Sequence, residues 1–314
     1  MAVTEIELDA QYRVLREAAG VLEREQRRSL RVTGPEAADY LQGQLTNDVE
    51  SLAPGQGCYA ALLDRKGHMQ GDMRVLRTEG GFEIDTEAVA GDAVLRHLSM
   101  YKVGRDVEVE ETTAERAILS VVGPGAAEVA LSGPLTPEHA HTEVELGGGA
   151  WLAVATDAGI DLIGPRAAAA AAGDALRDAG AEPVTEEAAE VLRVESGRPR
   201  FGHEMTTATI PEEGGINERA VSFTKGCYIG QETVARLHYR GKPNRRLRGL
   251  RLSEPVEAGV PVRLGERELG LVGTAALSPS RGPIALAILR REAEPGVRVE
   301  VGERATAEVV ELPF

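Results

Sequence analysis

Residues 225–232 read Lys-Gly-Cys-Tyr-Ile-Gly-Gln-Glu. These eight positions hold a cation, a thiol, two glycines, a carboxamide and a carboxylate. Phe223 and Thr224 read as the end of a short strand, and Lys225-Gly226-Cys227 as a loop. Gly230 to Tyr239 reads as a helix, with Val234, Leu237 and His238 recurring at helical spacing. Cys227 therefore stands just ahead of a helix N-terminus and two residues from Lys225. The helix dipole and the nearby cation both favour a thiolate. One reading makes Cys227 a reactive or ligand-facing thiol, with Lys225 polarising it or holding an anion. The other makes it a small buried hydrophobe, as free cysteine often is.

The chain has 314 residues, room for two or three domains. Hydrophobic content of 42% and charged content of 27% fit a soluble globular protein. No apolar run approaches the length of a membrane span. Met1 to Glu25 lacks the basic and apolar regions of a signal peptide. The expectation is a cytoplasmic protein with no membrane partner, a monomer by default. Cys58 and Cys227 form no CxxC pair, so neither a disulfide framework nor a cysteine-built metal site is expected. The net charge of −15 argues against nucleic acid as a bulk electrostatic partner. Residues 225–251 nevertheless carry +7, leaving −22 on the rest. This basic strip reads either as a local anion site or as a solvated face.

Elements must position these groups. Residues 6–27 carry an amphipathic helical pattern. A β-like run, then Gly-Pro, then an alanine-rich stretch recurs in three units, 28–46, 117–131 and 160–179. Proline at a first helical position loses no needed hydrogen bond, and glycine before it permits a tight turn. Further strands are expected at 57–63, 72–78, 82–86, 107–111 and 150–156. A helix is expected over 88–101, with Val89, Leu95 and Leu98 inward. Strands mixed irregularly with helices suggest an α+β fold. No Gly-x-Gly-x-x-Gly follows a strand, so no Rossmann nucleotide site is indicated. From Arg246 to Phe314 short strands and frequent turns suggest a small β-barrel or sandwich. Gly241-Lys242-Pro243-Asn244 marks the boundary, giving regions 1–241 and 242–314.

Residues 225–232, followed by Arg236, resemble the signature of the YgfZ-type folate-binding proteins, relatives of the glycine-cleavage T-protein (GcvT), an aminomethyltransferase. The likeness spans nearly the whole chain. It takes in Arg31-Val-Thr-Gly-Pro-Glu-Ala, Leu45-Thr-Asn-Asp-Val and Asp64-Arg-Lys-Gly-His-Met-Gln-Gly-Asp. It continues through Leu192-Arg-Val-Glu-Ser-Gly-Arg-Pro-Arg-Phe-Gly, Thr209-Ile-Pro-Glu-Glu, Gly273-Thr and Ile284-Ala-Leu-Ala-Ile.

The resemblance implies three domains around a central hole that holds tetrahydrofolate, two of them interleaved in 1–241 and the third a C-terminal barrel. It matches Glu195 to the carboxylate that binds the pterin ring, whose edge offers N–H donors to a two-oxygen acceptor. By itself Glu195 reads as a surface helix residue. Asp92 aligns with the T-protein aspartate that acts in aminomethyl transfer; by itself it reads as a carboxylate near a helix N-terminus. Lys225 and Cys227 would face the folate, Tyr228 would pack on a ring, and Gln231, Glu232 and Arg236 would order the loop. Two departures favour the YgfZ type. The T-protein Gly-Tyr-Thr-Gly-Glu-Asp-Gly stretch is replaced here by Thr156-Asp-Ala-Gly-Ile-Asp-Leu, and T-proteins lack the cysteine standing here as Cys227. The role then implied is upkeep or assembly of iron–sulfur client enzymes, with a link to tRNA modification. The alternative is a tetrahydrofolate-dependent aminomethyltransferase. Whether any substrate is turned over stays open at this point.

Overall fold

In the computed structural model, which describes residues 5–131 and 133–314, two sheets and a closed barrel surround one cavity. The first sheet is antiparallel, in the order Gly57–Leu63, Met69–Thr78, Gly81–Glu87, Arg27–Thr33 and Glu108–Glu111. Helices Ala37–Gln44 and Ala88–Tyr101 cover one face of it. Tyr40, Leu41, Val94 and Leu98 on these helices join Leu62, Met73 and Val75 of the sheet in one core.

The second sheet runs Glu182–Pro183, Gly20–Glu23, Arg116–Val122, Gly159–Pro165, Gly149–Ala155 and His141–Leu146. Its first pair is parallel and the rest are antiparallel. Trp151, Leu119, Leu162 and Leu176 form its core. The barrel closes through Arg245–Leu252, Gly282–Arg290, Arg267–Ser278, Pro261–Leu264, Arg298–Val301 and Ala305–Val310. Closure leaves no unpaired edge, which is how a short-stranded β domain avoids edge-to-edge association. The fold is thus α+β with a C-terminal closed barrel. Among the described residues no helix is long and apolar enough to cross a membrane. Residues 1–4, part of the N-terminal stretch read above for a signal peptide, lie outside the described residues.

All three Gly-Pro units form strand-then-helix pairs, but no proline takes the first helical position: Pro35 and Pro124 lie in turns ahead of helices Ala37–Gln44 and Ala126–Leu131. In the third, Pro165 ends the strand itself, with ψ 126, and the helix Ala169–Asp178 begins only after a 3-10 turn. Proline's fixed φ suits extended backbone as well as a helix start.

The pattern over 6–27 misleads. The helix stops at Glu17, and Gly20–Glu23 becomes a strand beside Arg116–Val122. Gly20 permits this return, since a Cβ there would lie 2.7 Å from Leu15 Cδ2. Tertiary strand pairing has overridden the helical period. Val89 points outward, 68% exposed, so the stripe of its helix begins at Ala90. Phe223 and Thr224 form no strand. Helix Glu186–Glu195 was missed although its start is signalled: Thr185 Oγ1 accepts the Ala188 N–H, and Glu186 and Glu187 fill the first turn.

Candidate functional site

The cavity holds about 840 Å³ and takes its walls from all three parts of the fold. This is within the size range of small-molecule sites. Helix Glu186–Glu195 crosses one side, and Glu195 at its end faces the space. A carboxylate at a helix C-terminus meets the negative end of the dipole, so its placement needs local donors. Three hydroxyls supply them. Tyr12 Oη donates to both oxygens, at 3.1 and 3.2 Å, while the Ser278 and Ser280 hydroxyls donate to Oε1. Oε1 is saturated by three donors; Oε2 has the long Tyr12 bond and Arg16 at 4.0 Å. Oε2 therefore retains accepting capacity. Glu195 is 7% exposed, a buried cavity residue and not a surface one.

Another part of the wall is built by the first sheet. Arg74 stands opposite Asp85 in register, and Arg27 opposite Glu87. Arg74 donates to Asp85 at 2.7 Å and to Asp161 at 2.5 Å. Arg27 reaches both Asp85 and Glu87, and Arg200 holds Glu87 from the other side at 2.8 Å. Burial pushes Asp85 upward, but Arg27 and Arg74 outweigh it and hold its carboxyl below the usual range.

Asp72 behaves differently. It is buried, faces the cavity, and accepts from Tyr59 Oη at 2.6 Å. Burial, helped by neighbouring Glu87, raises its pKa to about 6, against the opposing pull of the Tyr59 bond and Arg27. A carboxyl that titrates near neutrality and meets a ligand-sized space suits proton transfer. Asp72 closes the Asp64–Asp72 stretch quoted above, and Asp72 with Arg74, like Asp85 with Glu87, are charges two residues apart on one face of neighbouring strands. That pattern was the available signal for this wall.

The 225–232 motif lies elsewhere. None of residues 225–236 is on the cavity lining. Lys225 Nζ donates to the main-chain oxygens of Gln42, Leu45 and Asn47, at 2.6, 2.7 and 2.8 Å. An ammonium has three donors, so all are used. It terminates the Ala37–Gln44 helix, where a cation also meets the favourable dipole end. Burial lowers its pKa to about 8 in spite of Asp48. Tyr228 is buried in the first-sheet core, its ring 5.2 Å from Lys225 Nζ. Cys227 is free and exposed, so it is not a buried hydrophobe, and it is absent from the cavity lining that includes Glu195. The other cysteine, Cys58, is also free, and burial pushes its thiol up to about 12.

Gly230, with φ 84, caps helix Gln231–Arg240, and a Cβ there would lie 2.5 Å from Asp64 O. The motif is thus clamped on the Asp64–His68 turn. On that helix Gln231 donates its N–H to Tyr228 O, ordering the turn, whereas Glu232 and Arg236 face solvent. Asp92 is also outside: its side chain is 79% exposed and pairs with Arg28 at 2.6 Å. The basic strip lies on the outer helix and the barrel, with Arg245 committed to Glu213. By contrast, Thr156, Asp157 and Asp161 of the altered stretch do line the cavity.

Residues 5–225 match the GCVT N-terminal domain family, and 245–314 the glycine cleavage T-protein C-terminal barrel domain. An aminomethyltransferase of Rubrobacter xylanophilus is 30% identical over 320 residues, covering 98% of this chain and 86% of that protein. One from Saccharopolyspora erythraea is 29% identical, covering 97% and 89%. The fold resembles the crystal structure of glycine cleavage system aminomethyltransferase T from Bartonella henselae, with a TM-score of 0.88 and 23% identity, over 99% of this chain and 90% of that one. The chain belongs to the glycine cleavage T-protein (GcvT) family.

Proposed function

We propose that this chain binds tetrahydrofolate in the central cavity and acts there as an aminomethyltransferase-type one-carbon enzyme. One observation carries the reading: Asp72, with its pKa near 6, and Glu195, with one oxygen spare, line the same ligand-sized space. The relatives named aminomethyltransferase support it. The residues fit the group. Glu195 Oε2 would accept an N–H of the pterin edge, held in place by Tyr12, Ser278 and Ser280. Tetrahydrofolate, when bound, supplies the nitrogens that accept a one-carbon unit. Asp72 holds or takes the proton at its carboxyl, and Tyr59 fixes its orientation. This assigns the acid–base role to Asp72 and not to Asp92, which stands on the outer surface. The test is formation of methylenetetrahydrofolate from an aminomethyl donor. Asp72→Asn should abolish turnover while tetrahydrofolate still binds. Wild-type protein that neither binds tetrahydrofolate nor turns over would refute the reading.

A second reading rests on the motif loop. Cys227 is a solvent-facing thiol on an anchored loop, open to a partner protein. That suits the YgfZ-type role in upkeep of iron–sulfur client enzymes, with its tRNA-modification link. One thiolate does not hold a cluster that wants four, so the client would bring the rest. Loss of iron–sulfur enzyme activity in cells carrying Cys227→Ser, with folate binding intact, would support it; unchanged activity would count against it.

A further inference from the structure

Three polar atoms on residues of the cavity wall have no hydrogen-bond partner among the described residues: Arg74 Nη2, His139 Nδ1 and Arg219 Nε. They belong to one cluster. Glu138 Oε1 lies 2.6 Å from Arg219 Nη2 and 3.7 Å from His139 Nε2. His139 is close enough to Arg74 and Arg219 to feel both charges. The Arg219 guanidinium stacks 4.9 Å above the Tyr59 ring, whose hydroxyl reaches Asp72.

A buried donor left without an acceptor costs about 1–3 kcal/mol. Arg74 and His139 are 7% and 9% exposed, so bulk solvent satisfies neither well. Arg74 Nε and Nη1 are committed to Asp85 and Asp161, and Arg219 Nη2 to Glu138. Burial and the two arginines keep the His139 ring neutral, with its pKa at about 4. A neutral ring offers Nδ1–H as a donor in one tautomer. His139 also has φ 70, a left-handed backbone that histidine seldom adopts. Strain of this kind persists where the surroundings demand a particular side-chain position. The acids beside these donors are each answered: Arg74 meets Asp85 and Asp161. Arg219 and Arg198 meet Glu138, and Tyr59 meets Asp72.

We propose that Arg74 Nη2, Arg219 Nε and His139 Nδ1 form a carboxylate-binding subsite in the cavity. Planar guanidinium donors match the geometry of a carboxylate. The carboxylate comes either from the glutamate of a bound folate or from a separate small substrate. The subsite extends the folate reading to a second group on the ligand, and it also stands without that reading.

Calorimetric titration of the full-length protein decides this with three probes: tetrahydrofolate, tetrahydropteroate, which lacks the glutamate, and acetate. Two variants remove donors. Arg219→Gln changes a partly exposed side chain, and His139→Asn suits the left-handed backbone. Thermal melts confirm folding, and Arg219→Lys replaces any variant that does not fold. If the subsite takes the folate tail, tetrahydrofolate binds about ten-fold tighter than tetrahydropteroate, and the variants erase that ratio. If it takes a separate carboxylate, the two folates bind alike. Acetate then saturates the tetrahydrofolate-loaded protein, and the variants weaken it about five-fold or more. Alike folates with no acetate binding, or a ratio and acetate affinity that no variant moves, would overturn the subsite. If tetrahydrofolate does not bind, variant-sensitive acetate binding keeps the subsite and removes only the folate reading. Loss of both removes both.

Discussion

Lys225 Nζ stands 2.8 Å from the main-chain oxygen of Asn47, whose side chain in turn donates to the main-chain oxygens of Tyr59 and Arg219. The outer motif is therefore tied through one asparagine to two residues of the cavity wall. Lys225→Met leaves three helix-end carbonyls without their donor. The expected loss is on the order of 3 kcal/mol, since hydrogen bonds to a charged group are worth about 1.5–3 kcal/mol. Urea denaturation measures it. Cys227→Ser, at an exposed position two residues on, should stay within about 0.5 kcal/mol.

Asp72 sets a pH dependence whose sign is definite. Its folded pKa of about 6 lies above its ordinary value of 3.8. Between these values the folded protein binds the extra proton, so this group's contribution is full below pH 3.8. It is lost as pH rises through 6. Asp72→Asn should flatten that part of the stability-against-pH curve and raise stability at pH 7 relative to wild type. Chemical denaturation at a series of pH values reads both effects. In the proposed reaction, kcat should rise through an apparent pKa near 6 if the ionised form is the base.

Glu195→Gln preserves shape but replaces one acceptor oxygen with a donor. Tetrahydrofolate affinity should fall about ten-fold or more in calorimetry, because the charged acceptor for the pterin edge is lost. Glu195→Ala should also lose about 1–3 kcal/mol of stability, since the buried Ser278 and Tyr12 hydroxyls lose their acceptor.

Gly230→Ala tests the clamp between two stretches far apart in sequence. The φ of 84 disfavours a side chain, and its Cβ would meet Asp64 O at 2.5 Å. The expected cost is above about 1 kcal/mol. Hydrogen exchange should rise at Gly67 and along Gln231–Arg240, the segments the clamp joins.

Asp92→Ala removes an exposed pair with Arg28. Such pairs contribute about 0–1 kcal/mol. Turnover and folate affinity should be unchanged; a loss of turnover comparable to that of Asp72→Asn would return the acid–base role to Asp92.

Local patterns specified much of the secondary structure. Strand Gly57–Leu63 and helix Ala88–Tyr101 have the expected bounds: the strand's apolar run lies between Gly55 and the turn at Asp64–Gly67, and the helix ends ahead of Gly104. The short strands after residue 244 were legible from their frequent turns, while closure into a barrel and not a sandwich was decided by the pairing of Arg245–Leu252 with Ala305–Val310. The error over residues 18–27 came where Gly20–Glu23 is held by a partner near residue 120, which no local window contains.

The motif at 225–232, with the likeness along the rest of the chain, led to the glycine cleavage T-protein family, and tertiary structure decided what its residues touch. Lys225 looked like a cation beside a thiol, yet three carbonyls 178 to 183 positions away take all of its donors. Glu195 was named through the family resemblance, whereas its local pattern reads as a surface helix residue; only the fold set it against Tyr12 and Ser278 and left Oε2 with accepting capacity. Asp72 was printed in a quoted stretch, while its burial and its Tyr59 bond exist only in the assembled sheet. Residue type and local order set which chemistry is available. Burial and long-range donors set which groups remain free to perform it.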